Sequence, residues 1–218
     1  MDDRKHHIKI KALLFFLVAL SLLGCQSQSE KQLDSSVSDD DYKIINSTFV
    51  HLVSQAPLGF EADFGYDNYT FKGKGFPEEH FRPVYFTRYL VSFNDSLAFS
   101  SKSSISDDTF SRLVDEDFKA LGRALITEAG ISLKLETALI QNIGLNRLIP
   151  VEIGQRVERE IGEKIITYSR IVYNAKKDKA CFYFENNCSG LCGSAIYIFV
   201  QKEKGIWVVK EKLVDWVS

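Results

Sequence analysis

The spacing of apolar side chains divides the chain into three unlike stretches. Ala12 to Leu23 is an almost unbroken apolar run of about twelve residues, preceded by Arg4, Lys5, Lys9 and Lys11. Residues 26–40 are Ser-rich and polar, with Leu33 and Val37 as the large aliphatics. From residue 41 onward apolar and polar positions alternate with the periods of helices and strands. Tyr42, Ile45, Phe49, Leu52 and Val53 recur at helical spacing behind a Ser38–Asp41 start signal, predicting a helix over 41–54 that Pro57 and Gly59 end. Residues 58–83 interleave Gly and aromatic residues and predict a loop pinned to a core, or short hairpins. A strand is expected over 84–93, a turn at 94–96 and a short strand over 97–99. Phe110, Leu113, Val114, Phe118, Leu121 and Leu125 form a stripe predicting a helix over 108–129, capped by Asp107 or Asp108 and ended by Gly130. Residues 131–163 carry mixed signals around Pro150.

The last 55 residues read as a four-stranded antiparallel meander. Strands are expected over 164–173, 180–185, 194–201 and 206–212, joined by turns at 174–177 and 203–205 and by a Gly- and Cys-bearing loop at 186–193. The fold class expected is α+β, with one face of a curved antiparallel sheet packed on both helices, by analogy with cystatin-like or transport-factor-like cones. The organisation expected is a leader over 1–24, a lipidated cysteine and flexible tether over 25–40, and a single globular domain over 41–218.

Composition narrows the class. Hydrophobic residues make up 45% and charged residues 26% of 218, enough to bury a core, and 16 Phe and 9 Tyr against one Met favour a sheet-rich interior. A net charge of -2 supplies no bulk attraction for polyanions, so nucleic acid is not an expected partner. The N-terminal apolar run is too short to span a bilayer comfortably but has the length of a signal-peptide core. It ends in Leu22-Leu23-Gly24-Cys25, which resembles the bacterial lipobox. That resemblance implies cleavage before Cys25, a diacylglyceryl group on its thiol, and stable anchoring by two or three acyl chains. An uncleaved anchor with an incidental cysteine is the alternative. Gln26 is a non-acidic residue after the cysteine, which resembles cargo sent to the outer membrane where the host has two membranes.

The sharpest motif inside the domain is Cys188-Ser-Gly-Leu-Cys192-Gly193, with Ser169-Arg170-Ile171-Val172-Tyr173-Asn174 before it, Gly205-Ile206-Trp207 after it and Trp216-Val217-Ser218 at the end. Together these resemble a group of bacterial lipoproteins and secreted proteins without an established activity. The resemblance covers about residues 165–218 and implies an architecture rather than a chemistry. Read physically, Cys188 and Cys192 face each other across a hairpin loop centred near Gly190, within disulfide reach, with Gly190 and Gly193 supplying positive φ. The competing reading is a redox-active or nucleophilic thiol pair, although the usual redox spacing has two intervening residues and this has three. Cys181 reads as a buried inert thiol. A zinc site would need a fourth ligand, and the domain offers only His51 and His80, both distant in sequence, so neither a metal nor a cofactor is expected. Trp207 and Trp216 read as core anchors or, alternatively, as the lining of a ligand site. Glu78-Glu79-His80 lacks the spacing of a metalloprotease helix, and Glu158, Arg159, Glu160, Glu163 and Lys164 read as an exposed charged face. No catalytic residue is assigned. The function expected is a non-enzymatic, lipid-anchored binding or scaffolding domain of the cell envelope. Its partners are the membrane and a small apolar ligand or an envelope protein. A thiol-dependent oxidoreductase or a hydrolase is the alternative.

Overall fold

The computed structural model describes residues 36–54, 81–95, 97–99, 107–158, 163–188 and 192–218. The leader, Cys25, the Gly-aromatic stretch with Glu78-Glu79-His80, and Gly190 lie outside these residues.

Two α-helices and eight strands are present among the described residues. Helix α1 spans Asp39–Ser54 and α2 spans Glu116–Thr127; the strands are β1 Arg82–Val91, β2 Leu133–Lys134, β3 Asn146–Val151, β4 Lys164–Ser169, β5 Val172–Tyr173, β6 Lys179–Cys188, β7 Gly193–Glu203 and β8 Ile206–Val217. Short 3-10 turns cover Asp107–Arg112 and Thr137–Leu139. The strands form one open sheet in the order β2-β1-β4-β6-β7-β8, with β3 also on β1 and β5 on β6. The expected α+β class and the C-terminal meander (β4, β6, β7, β8, each antiparallel to the next) are present. The sheet as a whole is mixed, because β1 runs parallel to both β3 and β4.

The helices do not share one face of the sheet. On one face α1 packs Ile44, Ile45, Phe49, Leu52 and Val53 on Phe86, Ile166, Tyr168, Phe182, Phe184, Ile198 and Trp207. On the other, α2 and the first 3-10 turn pack Phe110, Phe118, Leu121 and Leu125 on Cys181, Tyr183, Tyr197 and Phe199. The central strands explain the difference from the one-sided expectation. Ala180–Phe184 and Ala195–Val200 are continuous apolar runs with both side-chain sets buried, the mark of strands covered on both faces.

Local boundaries have specific causes. Ser38 and Asp41 cap α1 reciprocally: the Asp41 N–H donates to Ser38 Oγ at 3.2 Å, and the Ser38 N–H donates to Asp41 Oδ2 at 2.8 Å. The helix expected over 108–129 is two pieces, since α2 starts afresh where Asp115 accepts from the Phe118 N–H at 3.2 Å. Asp107 and Asp108 instead open the 3-10 turn. Gly130 does not end α2, whose last residue is Thr127; a Cβ at Gly130 would sit about 2 Å from the Arg170 and Glu128 side chains, whose ion pair crosses it. Residues 97–99 form a turn rather than a strand: the Ala98 N–H donates to the Asp95 carbonyl and the Leu97 N–H to the Asp95 carboxylate. The strand expected over 164–173 breaks at Arg170 and Ile171. Strands β6 and β7 run deeper into the expected 186–193 loop, to Cys188 and from Gly193. Lys164 is not part of an exposed face; it is half-buried and its ammonium donates to the Val53 carbonyl at 3.0 Å, at the end of α1.

Candidate functional site

The motif residues of the C-terminal half converge on the β4–β8 region, and each has a framework contact. Ser169 sits at the β4–β5 break, where its hydroxyl accepts from the Tyr183 N–H at 2.7 Å and donates to the Arg170 carbonyl at 2.8 Å. It thereby supplies the partner that β6 loses where strand pairing stops. Arg170 pairs with Glu128 at 3.3 Å, donates to the Ile131 carbonyl at 3.3 Å, and its backbone N–H donates to the Val91 carbonyl at 2.8 Å. Asn174 closes the next turn, its Oδ1 accepting from the Asp178 and Lys179 N–H groups at 3.1 and 3.2 Å. Trp207 is buried between Tyr173, 5.9 Å away edge-on, and the Lys202 ammonium, 4.7 Å above its ring.

Cys188 and Cys192 are joined, with Cα atoms 5.4 Å apart, and the Cys188 N–H donates to the Cys192 carbonyl at 3.1 Å across the same loop. Gly193 has no positive φ, contrary to expectation. It is a close-approach glycine: a Cβ there would meet the Trp216 ring at 3.0 Å and the Asn186 carbonyl oxygen at 3.2 Å. The Ser218 N–H donates to the Gly193 carbonyl at 3.0 Å. The hairpin glycine and the terminal Trp-X-Ser are therefore one packing unit.

A polar cluster that the sequence does not announce lies on the sheet face that α2 also covers, against Phe93, Phe99 and Phe110. Strand β8 carries an extra residue at Asp215, between the Ala195–Trp216 and Ile196–Val214 pairs. That bulge turns Asp215 and Trp216 to the same face, and Asp215 Oδ2 accepts from the Tyr183 hydroxyl at 2.7 Å. Burial first, then the Asp215 bond, pushes the Tyr183 phenol far above its usual range. The ring of Tyr197 lies 4.9 Å from that of Tyr183, and its buried hydroxyl and the Trp216 N–H have no hydrogen-bond partner among the described residues. Glu185, 3% exposed, lies on the same face opposite Thr167, whose hydroxyl meets that of Thr87 at 2.9 Å. The legible signal is an acidic residue interrupting each of two apolar runs, Glu185 after Cys181–Phe184 and Asp215 between Val214 and Trp216.

Cys181 lies on the same face, next to Tyr183 along β6 and opposite Phe199, fully buried and free, with burial holding its thiol well above the usual range and away from the reactive thiolate. Nε2 of His51 on α1 meets the side-chain nitrogen of Lys212 on β8. Among the described residues, no group of three or more His, Cys, Asp or Glu is placed to hold a metal ion, and no helix is long and apolar enough to cross a membrane. A shallow groove of about 340 Å³ runs beside the start of α1, lined by Ser38, Asp39, Asp40, Tyr173 and Lys177. No family model matches the chain, nor does any curated protein or solved structure.

Proposed function

We propose that the chain is a lipoprotein of the bacterial cell envelope, anchored through Cys25, whose domain is a non-enzymatic binding or scaffolding module. Support for the anchor is the Leu-Leu-Gly-Cys end of the short apolar run. Support for a module without chemistry of its own is that Ser169, Arg170, Asn174, Cys188, Cys192, Gly193, Trp207 and Trp216 are each committed to framework contacts. A nucleophilic role for Cys181 is disfavoured by its full burial, which raises its thiol pKa well above the usual range. The anchor is tested by feeding cells an alkyne-tagged fatty acid. Label is expected on the wild-type protein, with a mature chain beginning at residue 25, and none on Cys25→Ala; an unlabelled wild type would refute it. For the module, crosslinking in cells should yield a discrete partner band, whereas a turnover abolished by one point change at Tyr183 or Asp215 would refute the non-enzymatic reading.

A further inference from the structure

The described fold belongs to one compact unit, Ser36–Ser218. The chain enters that unit at the end of the sheet where β6 and β8 begin and β7 stops. Asp40 pairs with Lys202 near the end of β7 at 3.0 Å, and the Tyr173 hydroxyl donates to Asp41 at 2.6 Å. Two turns lie side by side at this end, tied by the Lys202 N–H to the Asp178 carbonyl at 2.7 Å. Their tips carry Lys176, Lys177 and Lys204, all exposed. Most carboxylates here are committed: Asp40 to Lys43 and Lys202, Glu203 to Lys210, Asp115 and Asp117 to Lys179, Asp178 to Asn174. Exposed Asp39 shares the groove with Lys177.

Bulky aliphatic side chains are exposed at the same end. Val114, 91% exposed, directly precedes the Asp115 that holds Lys179 at the first residue of β6. Ile206, 66% exposed, opens β8 opposite Glu203, and exposed Val208 follows opposite Gln201, itself paired with Lys179. Aliphatic residues standing among lysines on turn tips gain nothing from water. They suit the headgroup level of a bilayer, where the aliphatic groups insert and the ammonium groups meet phosphates.

The geometry points to this end of the domain lying against an anionic bilayer, with Val114 and Ile206 at headgroup level and Lys176, Lys177 and Lys204 on lipid phosphates. The inference rests on the lipid-anchor reading for its choice of partner. Ser36 follows Cys25 by eleven positions, a span of at most about 40 Å fully extended, so the membrane holding the acyl chains is the surface within reach of this end.

The test uses the protein purified from membranes and reconstituted into two vesicle types, neutral phosphatidylcholine and a mixture with about 30% phosphatidylglycerol. Lysines are acylated with a water-soluble ester and their rates read one by one by mass spectrometry. A lysine near an anionic surface contributes about fivefold in binding. Acylation of Lys176, Lys177 and Lys204 should therefore slow about fivefold or more in the anionic vesicles relative to Lys134 on β2, and recover in high salt. The double variant Val114→Asp, Ile206→Asp, at two exposed positions, should lose that protection. Equal rates in both vesicle types would overturn the inference. If intact mass shows no lipid on Cys25 and neutral vesicles do not retain the protein, the anchor reading has failed. Retention on anionic vesicles with the three lysines protected would then still uphold the surface, and no retention would overturn it as well.

Discussion

Gly122 sets helix propensity directly against packing. It lies inside α2, where glycine to alanine normally stabilises by about 1 kcal/mol. Here a Cβ would lie 2.5 Å from Cδ1 of Phe110 and 2.7 Å from two more ring atoms. Phe110 cannot swing into solvent: it is fully buried, edge-on to Tyr197 at 5.2 Å and to Phe199 at 6.3 Å. Forcing a methyl into such a site costs about 1–3 kcal/mol, and each displaced aromatic pair forfeits roughly 0.5–1.5 kcal/mol. Gly122→Ala is therefore expected to destabilise by about 1–3 kcal/mol after the propensity gain, a fall of roughly 3–10 °C in Tm for a domain of this size. Urea unfolding followed by fluorescence of Trp207 and Trp216 measures it. The decisive comparison is the cycle with Phe110→Leu, whose smaller, flexible side chain makes room. In that background Gly122→Ala should stabilise by about 1 kcal/mol, giving a coupling of about 2–4 kcal/mol. Stabilisation by alanine in both backgrounds would refute the packing of the 3-10 turn on α2.

Three further outcomes follow from single contacts. Tyr197→Phe removes a buried hydroxyl that has no partner among the described residues and should be neutral or stabilising by up to about 1 kcal/mol, whereas Tyr183→Phe strips a bond from the Asp215 carboxylate and should cost about 1–3 kcal/mol; equal costs in thermal melts would contradict the cluster geometry. Burial first, then the charge of Lys212, lowers the pKa of His51 below 6.5. The unfolded chain thus takes up a proton that the folded one refuses, and stability should be full above about pH 6.5 and fall as the pH drops toward the folded value. His51→Gln should flatten that slope, and an unchanged slope between about pH 7.5 and 5.5 would sink the assignment; the pKa values of Asp40 and Asp115 are lowered from 3.8, so those groups act only at more acid pH. Denatured without reductant and alkylated, the exported domain should take one label, at Cys181, while three labels would remove the Cys188–Cys192 link. Replacing both linked cysteines by Ser should cost about 2 kcal/mol, the modest value of so short a ring.

Periodicity is enough for α1 because its apolar stripe, Ser38 cap and buried positions agree, and for the Lys204-Gly205 turn because both residues take positive φ, at 49° and 85°, as a two-residue hairpin requires. It is not enough for the break at Val114: a stripe can pass over a point where the backbone restarts, and only the Asp115 cap and the 91% exposure of Val114 mark it. The parallel pairings of β1 are illegible for a different reason. Val84 lies between Leu148 on one side and Lys164 on the other, and all three stand far apart in the chain. Their local sequences set strand propensity, but tertiary packing chooses the partners, so no short-range pattern encodes the pairing.

The two-sided burial of the sheet, by contrast, is written in the sequence. A strand with one wet face alternates; Cys181-Phe-Tyr-Phe and Ala195-Ile-Tyr-Ile-Phe-Val do not, and such runs demand cover on both faces. Two helices with apolar stripes are available, so the consistent assignment is one to each face. Polar exceptions within those strands then carry the information about the site. Glu185, 3% exposed, is the buried carboxylate among them, and half-buried Asp215 on β8 lies on the same face, that of Tyr183 and Tyr197. Edge protection follows the same logic: β8 breaks its pairing with β7 at Lys210 and Asp215, and its exposed Lys210 and Glu211 with half-buried Lys212 put like charges opposite one another in any antiparallel self-pairing centred on Glu211. The long outer strand is thereby guarded against adding a second copy of itself.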